Sequence, residues 1–283
     1  MRLLRSLGDL GRGIYRHPWL LLWYIFTSFS VLFTVVQGLD FFAPGIQIRG
    51  LVPLVALVII SICYGLKKVW KPSTRTIKLS HTNSVIELTF GDIFKKDGIT
   101  AIAVTQFFDS KIGMPVSGKS LHGIFLNRFF TGNIVGFDQQ LAPQLQAIAH
   151  EAVQKVDGKQ LRYPIGTTAL ITPSHGRFIV FALAGAEPTT CKAYCDVTMM
   201  WNALSSLWER ARIEANGEPV NVPLIGSGLS GLGLPTRDLV NLIVLSAITE
   251  TKATVISHTI RIVLHRDRFE DVDLREVQKH WEE

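Results

Sequence analysis

Charge is nearly missing from one long stretch of this 283-residue chain: residues 19–66 hold only Asp40 and Arg49. Few soluble helices run so far without a charge, so that stretch argues against an ordinary soluble domain throughout. Cysteine is scarce as well. Three residues, Cys63, Cys191 and Cys195, give no even framework, and none has metal-site spacing with histidines nearby. That excludes a disulfide scaffold and a zinc module, leaves the cysteines as buried free thiols, and fits a reducing compartment. The chain also lacks a Gly-Lys-Ser/Thr phosphate loop and the dinucleotide fingerprint near the start of a Rossmann domain. No Ser/His/Asp or Cys/His pattern for nucleophilic catalysis is present either. What remains is 47% hydrophobic residues, a mean hydropathy of +0.27 and a net charge of +6.

The apolar excess is local. Residues 19–36 and 51–66 are two uncharged runs, each close to the roughly 17–25 residues that span the hydrocarbon core as a helix. Between them, residues 37–50 carry Gly38, Pro44, Gly45 and Gly50, which read as a turn between antiparallel spans. Pro53 falls in the first turn of the second run, where its missing N–H costs little. Arg2, Arg5, Arg12 and Arg16 precede the first run, and Lys67, Lys68, Lys71 and Arg75 follow the second. The positive-inside rule therefore places both termini of this two-span protein in the cytoplasm. Trp19, Trp23, Tyr64 and Trp70 sit at the span ends, where amphipathic rings favour the interface. A cleaved signal peptide would need a small-x-small site after Val36 and would leave the second run unexplained. Two buried core helices would not gather their flanking cations so asymmetrically. Thr27, Ser28, Ser30 and Thr34 offer small polar contacts between helices. Ahead of the spans, Leu3, Leu7, Leu10 and Ile14 share a helical face suited to an interfacial helix, which Gly8, Gly11 and Gly13 weaken. The expected organisation is a segment 1–18, a transmembrane hairpin 19–66, a basic linker 67–78 and a soluble domain 79–283.

In that domain the periodicity alternates. Strands are expected at 84–90, 99–104, 168–172, 178–183, 220–225 and 260–264, with a hairpin turn at 173–176. Helices are expected at 141–156, with Pro143 in the first turn, and at 196–213, 236–249 and 271–281. Strands alternating with helices imply an α/β fold with a parallel or mixed sheet covered on both faces. The chemical signal is residues 223–235, Pro-Leu-Ile-Gly-Ser-Gly-Leu-Ser-Gly-Leu-Gly-Leu-Pro. Four glycines follow a strand and precede a helix, so backbone N–H groups can converge on an anion that approaches without meeting a Cβ. A tight turn with no ligand is the other reading of such a loop.

Residues 79–283 resemble a macrodomain, the ADP-ribose-binding module. The resemblance rests on Gly91-Asp92-Ile93, on Pro115-Val-Ser-Gly-Lys-Ser-Leu-His-Gly123, on Tyr163-Pro-Ile-Gly-Thr167 and, most closely, on Gly226-Ser-Gly-Leu-Ser-Gly-Leu232. It implies a three-layer α/β/α sandwich with a mixed sheet. It also implies that Asp92 accepts a hydrogen bond from the adenine amine, with Ile93 beside it. Ser117, Gly118, Ser120 and Leu121 then form the first phosphate loop. Gly226, Ser227, Gly228, Leu229, Ser230, Gly231 and Leu232 form the second, around the distal phosphate and ribose. Asp92 as a turn residue capping the segment after it is the alternative. Two N-terminal spans joined to such a domain are similar to the membrane-anchored Macro effectors of Thoeris antiphage defence. That resemblance implies a ligand derived from ADP-ribose, such as the conjugate histidine-ADP-ribose, made from NAD by a TIR-domain enzyme. It further implies a homo-oligomer that damages the host membrane, with no cofactor, metal or nucleic acid.

Macrodomains that hydrolyse ADP-ribose bonds carry an asparagine-rich stretch after the second strand. Here the stretch reads Val104-Thr-Gln-Phe-Phe-Asp109, without asparagine, which points to a sensor with no catalytic residues. Asp109 is expected to be a solvated loop charge, and His122 and His175 surface or structural loop histidines. A tethered ADP-ribosyl hydrolase, which Gln106 or Asp109 would have to serve, is one alternative. A reader of ADP-ribosylated macromolecules, helped by Arg261, Arg266 and Arg268, is another.

Overall fold

The computed structural model describes residues 2–43, 45, 50–80, 82–131, 134–228 and 231–282, with residues 2–5 as backbone. It divides into two units, residues 1–73 and 74–283.

The first unit is helical: α1 (Arg2–Arg16), α2 (Pro18–Phe42) and α3 (Leu51–Val69). At 1.5 Å per residue, the 25 residues of α2 and 19 of α3 reach about 37 and 28 Å, against a hydrocarbon core of about 30 Å. Both are long and apolar enough to cross a membrane. No residue of α2 is buried, so its apolar side chains point outward, the reverse of a soluble core helix. The two pair as an antiparallel hairpin. Gly65, late in α3, lies against Leu21 and Ile25, early in α2, where a Cβ would stand 2.6 Å from Ile25 Cγ1. The Tyr24 and Tyr64 rings meet edge to face with centroids 6.3 Å apart. A small residue lets the backbones approach, as between membrane helices. Two expectations change. The helix α2 runs on to Phe42, which shortens the turn, since Gly38 costs a helix propensity but breaks no hydrogen bond; Pro44 and residues 46–49 lie outside the described residues. Thr27 and Thr34 bond carbonyls one turn back in their own helix, at 2.8 Å each, rather than reaching a neighbour.

The second unit contains, in chain order, β1 (Thr74–Lys78), β2 (Val85–Phe90), β3 (Ile99–Thr105), α4 (Leu121–Phe129), α5 (Ile134–Leu145), β4 (Glu151–Ala152), β5 (Leu161–Arg162), β6 (Thr168–Ile171), β7 (Arg177–Ala186), β8 (Ala193–Tyr194), α6 (Val197–Glu214), β9 (Val220–Pro223), α7 (Thr236–Ala253), β10 (Thr259–Leu264) and α8 (Leu274–Trp281). The main sheet runs β1-β2-β10-β9-β3-β7-β6, with β8 added to β7. Its centre, from β2 through β7, is parallel; β1 and β6 are antiparallel edges. Alternation sorts each strand between two cores. Ile179, Phe181 and Leu183 of β7 face α6, α7 and α8, with Trp208 and Ile243 among the partners. Phe178, Val180 and Ala182 face α4 and α5, with Phe125 and Phe137. The result is the expected three-layer α/β/α sandwich with a mixed sheet.

Besides shifts of a few residues at other element ends, and the unexpected α4, β4, β5 and β8, three differences from the sequence reading stand out. Residues 74–78, placed in the basic linker, form β1, because Ile77 alternates with polar residues and is fully buried against β2. The helix placed at 141–156 is α5, and Pro143 lies in its last turn rather than its first; Phe137, Leu141 and Leu145 form the buried stripe. Residues beyond it make the β4–β5 ribbon. The loop expected at 115–123 ends earlier, since residues 121–123 already belong to α4.

Candidate ligand-binding site

Five parallel strands, β2, β10, β9, β3 and β7, bring their carboxyl ends to one edge of the sheet. In open α/β sheets ligands sit in the crevice outside those ends. The loops there are residues 91–98 after β2, 106–120 after β3 and 224–235 after β9, which carry the expected site residues.

Asp92 N-caps a short 3-10 turn, Ile93–Lys95. Its Oδ1 accepts the Phe94 N–H at 3.0 Å, and Oδ2 pairs with Arg128 of α4 at 3.2 Å. The capping alternative is therefore realised, while the side chain stays 38% exposed and reachable. Ile93 is buried and supplies core packing.

Ser117, Gly118 and Ser120 build the N-terminus of α4. The Ser117 carbonyl accepts from the Ser120 N–H and hydroxyl, and Ser120 Oγ accepts the Gly123 N–H at 3.0 Å, a side-chain N-cap. Gly123 must be glycine, because a Cβ would strike the Ser117 carbonyl. Leu121 opens the helix. The positive end of α4 thus points to this loop.

In the third loop two glycines have opposite reasons. Gly226 has φ +80 and no room for a Cβ against Leu232, whose N–H bonds the Gly226 carbonyl at 3.1 Å; it shapes the turn. Gly228 is not at positive φ, and among the described residues a Cβ there would meet no atom within 4 Å. Its carbonyl accepts the Gly231 N–H at 3.0 Å, and Ser227 Oγ reaches the Leu224 carbonyl at 3.4 Å. Leu229 and Ser230 lie outside the described residues. The helix α7 begins just beyond, with Pro235 at the cap and no side-chain cap bond.

The stretch after β3 is closed. Phe107 and Phe108 are fully buried, and Asp109 is 1% exposed. Asp109 is not a solvated loop charge: Oδ2 pairs with the buried Lys155 at 2.6 Å, and Oδ1 accepts the Lys159 N–H at 2.8 Å. Lys155 Nζ also lies 4.5 Å from the Phe107 ring centroid. Burial of the pair demands this full set of partners. Gly158, at φ +90, allows the turn to close over Asp109. Asp138 takes Ser110 Oγ and Lys159 Nζ. His122, expected in a loop, is the second residue of α4, and it is buried; desolvation and then the Lys159 charge lower its pKa to about 3. Lys155, Lys159 and Arg128 were not foreseen; the lysines flanking Asp157-Gly158 were the one signal available. Arg261 is buried among Asn221, Asp97 and Glu87, which removes it from the basic surface expected of a macromolecule reader, whereas Arg268 pairs with Asp271 and stays half-exposed. His175 stays in its exposed turn. Among the described residues no group of His, Cys, Asp or Glu is placed to hold a metal ion.

A mixed sheet between two helical layers, with glycine- and serine-rich loops at the ends of its parallel strands, defines a protein of the macrodomain class. The Oceanobacillus iheyensis macrodomain with ADP is similar at TM-score 0.51 and 12% identity, over 73% of this chain and 96% of that one. The same macrodomain with MES bound gives TM-score 0.51 at 11% identity, with the same coverage. The chain belongs to the family described as Thoeris protein ThsA, Macro domain, whose model matches residues 86–265. No curated protein matches it.

Proposed function

We propose that this protein is a membrane-anchored sensor of antiphage defence whose 74–283 unit binds an ADP-ribose-derived signal without cleaving it. The observation that carries the reading is the bareness of Gly228: neither its backbone angle nor any contact among the described residues requires glycine, so the missing side chain leaves room for something from outside. Phosphate suits such a gap, since this loop runs into the N-terminus of α7 and the loop after β3 runs into that of α4. The Oceanobacillus macrodomain of the same fold holds ADP, which supports a nucleotide of this kind. Against hydrolysis stands Asp109, the one carboxylate in the stretch after β3. Both its oxygens are engaged and it is out of reach of water, whereas a general base needs hydrogen-bond access to the water it activates.

In this reading α2 and α3 hold the protein in the inner membrane with both termini cytoplasmic, facing a signal released by a TIR-domain enzyme. One hairpin per chain encloses no conduit, so damage requires several copies, and ligand drives assembly only through its preference for the assembled form. The test uses full-length protein in liposomes with a trapped dye. Histidine-ADP-ribose should raise both leakage and cross-linked oligomers with the wild type, and neither with Gly228→Glu. Leakage that is equal with and without the nucleotide would overturn the proposal.

A further inference from the structure

The helix α1 docks the opposite way round from a helix of a soluble protein. By 3.6-residue spacing Leu7, Leu10 and Ile14 share one face, and Arg12 and Arg16 lie on another with Asp9 and Gly13. Soluble packing would bury the leucines. Instead Asp9 is 5% exposed and Gly13 is buried, while Leu7 is 63% exposed and Leu10 and Ile14 are half-buried.

The fixings account for the inversion. The Asp9 carboxylate accepts the Ser73 N–H and hydroxyl, each at 2.9 Å, and pairs with Arg12 at 3.3 Å. Gly13 lies against the Val69 carbonyl, where a Cβ would collide. A polar seam thus clamps α1 to the exit of α3 and leaves the apolar face outward. This is the end of the hairpin where rings and cations gather. Tyr15, Trp19 and Trp23 are exposed, and Lys68 Nζ stands 5.6 Å from the Tyr64 ring centroid. Residues 1–16 and 67–75 contain eight Lys and Arg, and Asp9, turned inward, is their one acid.

We propose that α1 is an in-plane membrane helix that reads anionic phospholipid: Leu7, Leu10 and Ile14 enter the outer acyl layer, and the arginines meet headgroup phosphates. An exposed apolar face continuous with two apolar helices fits lipid, and the excess of cations fits an anionic surface. Clamped by Asp9 and Gly13, the helix ties lipid composition to the segment that leaves the second span. The inference rests on reading α2 and α3 as membrane spans.

The test places a diazirine-bearing aliphatic residue at position 7 of the full chain in nanodiscs, with the same probe at position 59 of α3 as the control. Phospholipid adducts at both positions are expected. Adducts at 59 alone overturn the in-plane helix and leave the spans standing, and adducts at neither overturn the anchor itself. A cross-linked dimer through position 7 shows that a second copy covers the face, and also overturns the proposal. Adding phosphatidylglycerol to phosphatidylcholine discs should raise the yield at position 7 several-fold, and Arg12→Gln with Arg16→Gln should abolish that rise. Equal yields in both lipids overturn the headgroup preference.

Discussion

The strands β3 and β9 lie side by side and end at the same edge of the sheet, yet the chemistry beyond them differs. After β3 come two fully buried phenylalanines and an aspartate locked to Lys155; after β9 comes a loop in which Gly226 is required by the turn and Gly228 by no contact among the described residues. One end is filled and the other is left bare. In the proposed reading the filled end withholds the group that would activate water, and the bare end keeps space for phosphate. That reading separates binding from turnover within one site, through side chains a few residues past adjacent strands.

The filled end should be the more costly to disturb. Lys155→Met leaves the Asp109 carboxylate buried without its partner, and removing one member of a buried pair costs about 3–5 kcal/mol. Urea denaturation of full-length protein in detergent should show that loss, and a change below about 1 kcal/mol would mean that the pair does not hold the β3 end closed. Next in size is a dependence on pH. His122 is buried and its pKa is depressed from 6.5 to about 3, so the unfolded chain takes up a proton that the folded one refuses. Its contribution is intact above pH 6.5 and is lost as pH falls from there toward 3, by about 2 kcal/mol at pH 5. Melts at pH 7 and pH 5 should differ less in His122→Phe than in the wild type; identical differences would place the proton elsewhere. The smallest effect is at the edge of the crevice. Asp92→Ala removes an N-cap and should cost about 1 kcal/mol, whereas Asp92→Asn, which still caps, should cost a few tenths. Equal losses would make the ion pair with Arg128, and not the cap, the reason for the aspartate.

The open end was the more legible in the sequence. A strand running into Gly226-Ser-Gly228 and on to a helix is a local pattern, and local patterns carry their own geometry. The buried apolar run of β7 and the helix α6 were legible for the same reason. The closed end was not, because Asp109 meets Lys155 and Lys159 across some fifty residues of chain, and nothing in the spacing of 104–109 announces partners so distant. Lacking them, the aspartate reads as a surface charge. β1 escaped for a related reason: its alternation is only five residues long and its basic residues continue the cluster that follows α3. The helix α5 was displaced because Pro143 signals a first turn more often than a last one.

The most direct test of binding without turnover is a calorimetric titration of the full-length protein with histidine-ADP-ribose, followed by chromatography of the nucleotide released from the complex. The account requires saturable binding that Gly228→Glu weakens at least about a hundredfold, roughly 2.7 kcal/mol, with the nucleotide recovered intact after hours at 37 °C. Recovery of free histidine and ADP-ribose, or unchanged affinity in a folded Gly228→Glu protein, would contradict it.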